Sequence, residues 1–591
     1  MLQKTGFYVK DHGGVPTLFH AGAPFPAAAY MTYLEEYGCY ASFARAGYRL
    51  FSFPALFAGK WISAAEGLTP FGKGIFDGET PDFSGFDASV SHILGVCPEA
   101  YIFPRVNLCM PDRWLLSHHT ELDSTGKRES LFSEEWLAAA ETMLRQLIRH
   151  VNAAPYRERI AGYHLAGGNT EEWFHFDLNG GLSGAAAKGF KAFLAQHYPD
   201  TPFTGLPDLS LLSAPGVCHG SGYLAKYLEF ANTAVAEAVS RLARAAKDEA
   251  GEGVLVGAFY GYALEVSSPL WGTHALKTLL DCDAVDFICS PCSYIGVRDP
   301  DADWTEMYAA DFVRLHGKLC LQECDIRTHL TKPLHERAPE YDPGGLLEAP
   351  VWHGLKNRET AVSMLRKAFG RQLIKGNGFW WFDMWGGWYS DPVLMAEIKR
   401  YREIFAASLG DKFRGSVAEI AVFSDESASR YMTACGARNT AHEQRIALGH
   451  MGAPYDSYDI SDFGAVYGRY KAALFLPGTD TPAVSEAKKI CEQNGIPYLS
   501  NADRDTLFTA QELSAFCENS GVFLYAAPGD IVYVNAEFIA VYAVTGGAKT
   551  LCFPQPSTLT DLLDPAPPLS GELISLTVKK GETRLFRRES L

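Results

Sequence analysis

No stretch of the 591-residue sequence is apolar for long enough to cross a bilayer, and the opening M-L-Q-K-T-G-F-Y-V-K-D-H-G-G holds no apolar run of signal-peptide length. A soluble, cytoplasmic protein is the expectation. Positive charge is scarce: 52 Lys and Arg stand against 69 Asp and Glu, a formal net charge of −17. That balance argues against nucleic acid and anionic membrane surfaces as partners. Metal-ligand spacing is missing too. His164, His175, His274 and His329 are scattered with no H-x-H, and the C-x-x-C of Cys289 and Cys292 has only Cys282 nearby and no second pair. No metal is expected, and these cysteines read as small buried side chains on a strand. The 13 cysteines are odd in number and thinly spread, which favours free thiols in a reducing compartment over a disulfide framework. There is no G-x-G-x-x-G, so nucleotide binding has no support and no cofactor is expected.

What the sequence does contain is alternation. Its length is too great for one core, and a composition of 47% hydrophobic and 20% charged residues is that of a globular protein. From residue 1 to about 410, short apolar stretches alternate with longer amphipathic ones. Strands are expected near Phe25–Tyr30, Tyr48–Phe53, Ala100–Val106, Ile160–Ala166, Val254–Phe259, Ala284–Cys289, Lys318–Gln322 and Gly378–Phe382. Eight such strands with helices between them predict a (β/α)8 TIM barrel carrying large insertions. Ser133 followed by Glu134 and Glu135 caps one helix, and Tyr223 to Ala250 is another, ending at Gly251. The Gly-, Pro- and Phe-rich stretch Trp61–Gly85 reads as a long loop over the barrel mouth.

Past a polar junction at Asp411 to Gly415, strands from Val417 and at Lys471–Pro477, Ile496–Leu499 and Val522–Tyr525 alternate with helices at Thr440–Gly449 and Ser485–Asn494. They predict a doubly wound, flavodoxin-like α/β domain over 416–546. Class I glutamine amidotransferases share that fold, but Cys435, Cys491 and Cys517 lack the Gly-flanked context of a nucleophile, so amidotransfer is not expected. The tail, 547–591, is proline-rich and then alternating, and predicts a small antiparallel β domain with a hairpin turn at Lys580-Gly581 or Gly581-Glu582.

In a barrel of this kind the active site lies at the C-terminal ends of the strands. The strand ending at Ala166 runs into G-G-N-T-E-E-W-F, which presents Asn169, Thr170, Glu171, Glu172 and Trp173. Carboxyls beside an aromatic at a strand mouth suit a general acid, because burial raises their pKa. The strand K-L-C-L-Q delivers Glu323 to the axis, followed by Asp325, Arg327, Thr328 and His329. Arg327 and Tyr294 are the expected partners that keep Glu323 ionised. Further clusters follow other strands: Asn107 and Arg113; Tyr260, Tyr262 and Glu265; Ser290, Tyr294 and Arg298; Asp383, Trp385 and Trp388. Carboxyls from strands four and seven suggest retaining glycoside hydrolysis, which needs them ~5–5.5 Å apart. Trp380, Trp381, Trp385 and Trp388 suit stacking on a sugar, although one of Trp380 and Trp381 should face the helices. Arg105, Asn107, His164 and Asp325 are candidate contacts to sugar hydroxyls.

These features resemble the clan A glycoside hydrolases, and especially the family 42 β-galactosidases and relatives such as the family 164 β-mannosidases. The resemblance rests on the strand-four Glu, Glu323, the domain order, D-F-S-G-F-D-A-S-V-S-H-I-L before strand three and the closing G-E-T-R-L-F-R. It implies an exo-acting, retaining β-glycosidase for an oligosaccharide or β-glycoside substrate, with Glu172 as acid/base and Glu323 as nucleophile. It further implies Tyr294 as a hydrogen-bond donor to that nucleophile. From their places at the strand ends, Asn169, Arg327, Trp381 and Trp385 are also expected in the substrate site. The clan places Asn directly before the acid/base, where this chain has Glu171, or Thr170 if Glu171 is itself the acid/base. The α/β domain would then assemble a homotrimer and help close a neighbour's active site. A catalytically silent sugar-binding barrel is the alternative.

Overall fold

The computed structural model describes residues 6–59, 71–213, 222–266, 268–410, 412–432, 441–504 and 506–591. Part of the loop expected at Trp61–Gly85, the junction residue Asp411, the helix start Thr440 and Cys435 lie outside the described residues.

The first unit is a closed parallel barrel. Strand one is Ala28–Met31, strand four Gly162–Ala166, strand five Leu255–Phe259, strand six Phe287–Pro291, strand seven Leu319–Cys324 and strand eight Gly378–Phe382. Strands two and three are each interrupted, as Leu50–Ser52 with Pro54–Leu56 and as Tyr101–Ile102 with Arg105–Asn107. Pro54 and Pro104 have no N–H to give the ladder. Phe103 N donating to Phe51 O at 3.0 Å and Arg105 N donating to Phe53 O at 2.9 Å carry the pairing across the gaps. Neighbouring strands run parallel throughout, and strand eight pairs with strand one to close the cylinder. All eight barrel strands stand where the alternation of the sequence puts them.

Helices cover the outside. Ser133 caps Glu134–Ala153, its hydroxyl accepting from Trp136 N, and Gly222–Ala250 packs beside it. At the N-terminus Phe7–His12 and Val15–His20 form an antiparallel hairpin, so Thr17–Phe19 finds its partner in Tyr8–Lys10. Phe7 N donates to Gly253 O just ahead of strand five, at the end of the barrel opposite the site. None of the described helices is long and apolar enough to cross a membrane.

The second unit has a four-stranded parallel sheet in the order Tyr455–Asp459, Ile420–Ser424, Ala472–Phe475, Tyr498–Ser500. The strand Y-D-S-Y-D escapes a hydrophobic reading, but its acids are satisfied: Asp456 accepts from Ser416 and Tyr470, and Asp459 from the Ser461 and Glu426 amides. Val522–Tyr525, expected as a strand, is irregular. Its donors go to a helix end, a side chain and a loop, namely Cys517 O, Glu419 Oε2 and Gly452 O.

A five-stranded antiparallel sheet follows, built from Ile531–Val534, Phe538–Tyr542, Gly547–Asp561, Leu569–Val578 and Thr583–Ser590. Its first two strands fall inside the 416–546 range that the sequence assigns to the α/β domain, so that boundary moves toward the N-terminus. Their hairpin is easily missed because Asn535, not glycine, turns it, its Oδ1 accepting from Glu537 N and Phe538 N. The turn at Lys579–Glu582 forms, with Gly581 at φ +74°. The strands it joins are not paired to each other, because the long strand Gly547–Asp561 lies between them.

Candidate active site

Strand register brings the site together. Arg105 pairs with His164, and Glu323 with Trp380, so all four side chains reach the same inner face of the barrel. His164, Phe259 and Trp380 fill the layer beneath the mouth, with ring centroids 4.5, 5.7 and 5.9 Å apart. Arg105 lies on this aromatic floor, its guanidinium 4.8 Å from Phe259, 5.7 Å from Trp380 and 5.0 Å from Phe382.

Two carboxyls grip that cation, and its charge reaches a third, Glu172. Arg105 Nη2 donates to Glu323 Oε2 at 2.6 Å and Nη1 to Glu171 Oε2 at 3.0 Å. Tyr33 completes the Glu171 side, donating its hydroxyl to the same oxygen at 2.5 Å. Glu171 is fully buried. Burial raises its pKa, while Arg105, Tyr33 and Asn107 favour the ionised form. Glu172 is only half-buried. Burial pushes it up to about 7, although the Thr170 hydroxyl, 2.6 Å from Oε2, and the Tyr262 hydroxyl favour its ionised form. Glu323 is pushed up to about 8 by burial, against the pull of Arg105, with the charges of Asp325 and Glu172 adding to the rise. Glu172 and Glu323 therefore feel each other directly, and Tyr262 feels both.

The loop carrying Glu171 and Glu172 is a tight excursion from strand four. Asn169 N donates to Phe174 O at 2.8 Å and Trp173 N to Gly167 O at 2.8 Å, pinching its neck. Within it Thr170, Glu171 and Trp173 all have positive φ, at 56°, 69° and 63°. Such residues cost about 1–3 kcal/mol each and cluster at working sites. Gly168 at φ +67° has no room for a side chain, since a Cβ would meet Phe174 O at 2.3 Å. Trp173 does not face the carboxyls; its indole N–H donates to Leu165 O at 3.1 Å and its ring lies against Gly167.

The remaining sequence candidates divide. Arg105 grips Glu171 and Glu323, and Asn107 favours ionised Glu171, its Oδ1 accepting from Cys109 N at 3.1 Å. His164 is a buried neutral imidazole, its pKa held well below the ordinary value by burial and by Arg105. Asn169 closes the loop through its backbone. Trp385 lies on an aromatic rim with Tyr33, Phe71 and Trp352 at 6.2, 5.9 and 5.8 Å. Trp381 is a correction. It points away from the axis, donates its N–H to Tyr48 at 2.8 Å and packs edge-on or tilted among Phe379, Tyr389 and Tyr401. Alternation along strand eight gives the axis to Trp380 instead. The partners expected for Glu323 are a second correction. Tyr294 and Arg327 both bond Asp325, and Arg298 pairs with it too, whereas Arg105 holds Glu323.

Other strand-end residues serve the scaffold. Glu265 accepts from Arg445 of the second unit, and Asp383 from Tyr30 and the Gly387 and Trp388 amides. Arg113 turns outward to Glu79 O. Sequence reasoning missed Tyr33, although its position just past strand one is the signal that marked the other clusters.

No family model matches the sequence, and no curated protein matches it either. Solved structures match its fold over nearly the whole chain. The β-galactosidase of Bacillus circulans sp. alkalophilus gives a TM-score of 0.64 at 12% identity, covering 96% of this chain and 99% of that one. The cold-adapted β-galactosidase of Rahnella sp. R3 gives 0.63 at 12% identity, covering all of both chains. A family 42 exo-carrageenase from Bacteroides ovatus gives 0.59 at 11% identity, covering 100% of this chain and 86% of that one. The expected resemblance to family 42 β-galactosidases is thus found at the level of the fold.

Proposed function

We propose that the protein is a retaining, exo-acting β-glycosidase of the β-galactosidase or β-mannosidase type. The observation that supports this reading is the gathering of Glu323, from strand seven, and Glu171, from the strand-four loop that also carries Glu172, on Arg105 at the mouth of a barrel with the fold of family 42 enzymes. Glu172 is the acid/base. It is half-buried, open to a leaving group, and protonated near neutral pH. Glu171 has the wrong surroundings for that role, since it is sealed from solvent and tied to Arg105 and Tyr33.

The steps follow from these roles. Glu172 gives its proton to the glycosidic oxygen as Glu323 attacks the anomeric carbon, forming a glycosyl ester and releasing the aglycone. Glu172, now ionised, takes a proton from water, which displaces Glu323 and returns the anomeric configuration. Arg105 orients Glu323 and stabilises its carboxylate whenever the ester is absent. The half-buried rim aromatics Phe71 and Trp352, backed by the buried Trp385, offer apolar faces to the sugar. By the same likeness, the α/β unit assembles a homotrimer, which a solution mass from light scattering would check.

A panel of nitrophenyl β-glycosides tests the chemistry. Glu323→Ala should abolish turnover. Glu172→Gln should slow substrates with poor leaving groups far more than those with good ones, because only the former need the proton. A wild type inert on the whole panel, while still binding sugars, would favour a catalytically silent barrel instead.

A further inference from the structure

The rim beside the nucleophile carries a charge imbalance that hydrolysis of a neutral sugar does not use. Asp325, fully buried two residues past Glu323, accepts from the Tyr294 hydroxyl and from Arg327 Nη1 and also pairs with Arg298. Two guanidiniums thus share one carboxylate. Each is fixed by backbone oxygens as well: Arg298 by Cys292 O and Asp325 O, both at 2.9 Å, and Arg327 by Asp325 O at 2.7 Å and Val351 O at 2.8 Å. The Arg327 guanidinium stands 5.1 Å from the rings of both Trp352 and Trp388.

The other side of the mouth has the opposite imbalance, with Glu171 and Glu323 on the single cation Arg105. Arg327 is 6% exposed, yet its Nη2 has no hydrogen-bond partner among the described residues, and neither do Arg298 Nε, Trp385 Nε1 or Trp388 Nε1. A buried cation with idle donors is costly unless an anion meets it. A sugar hydroxyl would satisfy an N–H but not the charge. A carboxylate or a sulfate monoester satisfies both, and a guanidinium is shaped to hold either one.

We infer that the Arg327–Arg298 side of the mouth is a subsite for an anionic substituent, the carboxylate of a uronic acid or a sulfate ester, carried by the glycoside. This inference rests on the glycosidase reading for its location at the nucleophile. It is tested by binding, so that the two can fail separately. Thermal-shift titrations of the wild-type protein would compare D-galacturonate, D-glucuronate and galactose 6-sulfate with D-galactose and D-glucose, at low and high salt. The expected result is at least tenfold tighter binding of an anionic sugar than of its neutral parent. That advantage should shrink with salt, and be lost in Arg327→Met but partly kept in Arg327→Lys. The uronate and sulfate arms show which anion is preferred. Equal binding of neutral and anionic sugars to the wild type would overturn the inference whether or not the variants fold, as would an advantage that Arg327→Met leaves intact. If no glycoside is cleaved while the anion preference holds, the hydrolase reading fails and the subsite stands.

Discussion

At the scale of single residues, the site is defined by carboxyls held near neutrality. Burial raises Glu172 to about 7 and Glu323 to about 8, and the charge of Glu172 adds to the rise of Glu323. The two protons leave as a coupled pair, so a pH profile reports the pair and not either residue. Activity needs one proton on the pair, hence kcat/KM should be bell-shaped with its maximum between about pH 7 and 8. Glu172→Gln removes both the acid and a negative neighbour of Glu323. With an activated substrate the alkaline limb should vanish, while the acid limb should stay close to its wild-type position, because on that limb Glu323 ionises while Glu172 still carries its proton and the Gln mimics that neutral form. An alkaline limb left in place would mean that Glu172 is not the proton donor. Stability carries the matching sign. Glu172 has a folded pKa above its unfolded value, so it stabilises the fold only while protonated and costs stability as pH rises from about 4.5 toward 7. Glu172→Gln should therefore gain on the order of 1–3 kcal/mol at pH 8 and little at pH 4.5, as read by urea denaturation.

At the scale of elements, the loop after strand four concentrates the strain that positions both Glu171 and Glu172. Three residues with positive φ are held there by two short backbone bonds and by Gly168 pressed onto Phe174 O. Gly168→Ala should lower stability by about 1–3 kcal/mol and reduce kcat more than it raises KM, since the misplaced group is the proton donor rather than a binding contact. An unchanged kcat would show that the loop does not set the position of Glu172. This loop also marks the limit of what the sequence discloses. Strand four and its two terminal carboxyls are legible, because an apolar run ending in Gly-Gly and charge has few other readings. Which carboxyl turns inward is not legible, because that depends on φ signs that no propensity encodes at Thr170 or Glu171. Trp381 fails for a related reason: in W-W, the alternation guarantees that one ring faces outward, but the phase comes from register with strands seven and one. Arg105 as the partner of Glu323 is hidden because 218 residues separate them, and only barrel closure brings them together. The α/β unit shows the converse, where a polar strand, Tyr455–Asp459, is stable because Ser416 and Tyr470 supply its acids with donors.

At the scale of the whole molecule, the helix Arg358–Lys375 is buried between the barrel and the C-terminal sheet, and its polar residues face partners on both sides. Arg371 donates to Asp303 at 3.2 Å and to Glu306 at 2.6 Å, both ahead of strand seven, and lies 5.2 Å from the ring of Tyr533 in the C-terminal sheet. Tyr533 in turn donates to Asp303 at 2.6 Å. Burial alone would raise the Glu306 pKa, but Arg371 and its cationic neighbours hold it at about 2. A depressed folded pKa means that Glu306 contributes stability above its unfolded value of about 4.5, and that this contribution is lost as pH falls toward 2. Arg371→Met leaves two buried acids without their cation, which should cost about 3–5 kcal/mol at pH 7. The gap to wild type should narrow at pH 4, where the abandoned Glu306 carboxyl can take up a proton. Because Arg371 also anchors Tyr533, unfolding of the variant should divide, with the C-terminal sheet melting ahead of the rest. Urea titrations followed by far-ultraviolet circular dichroism at both pH values would read the gap and the division together. A loss of the same size at pH 4 and pH 7, in one undivided transition, would show that the helix holds the units by apolar packing and that the ion pairs across it are incidental.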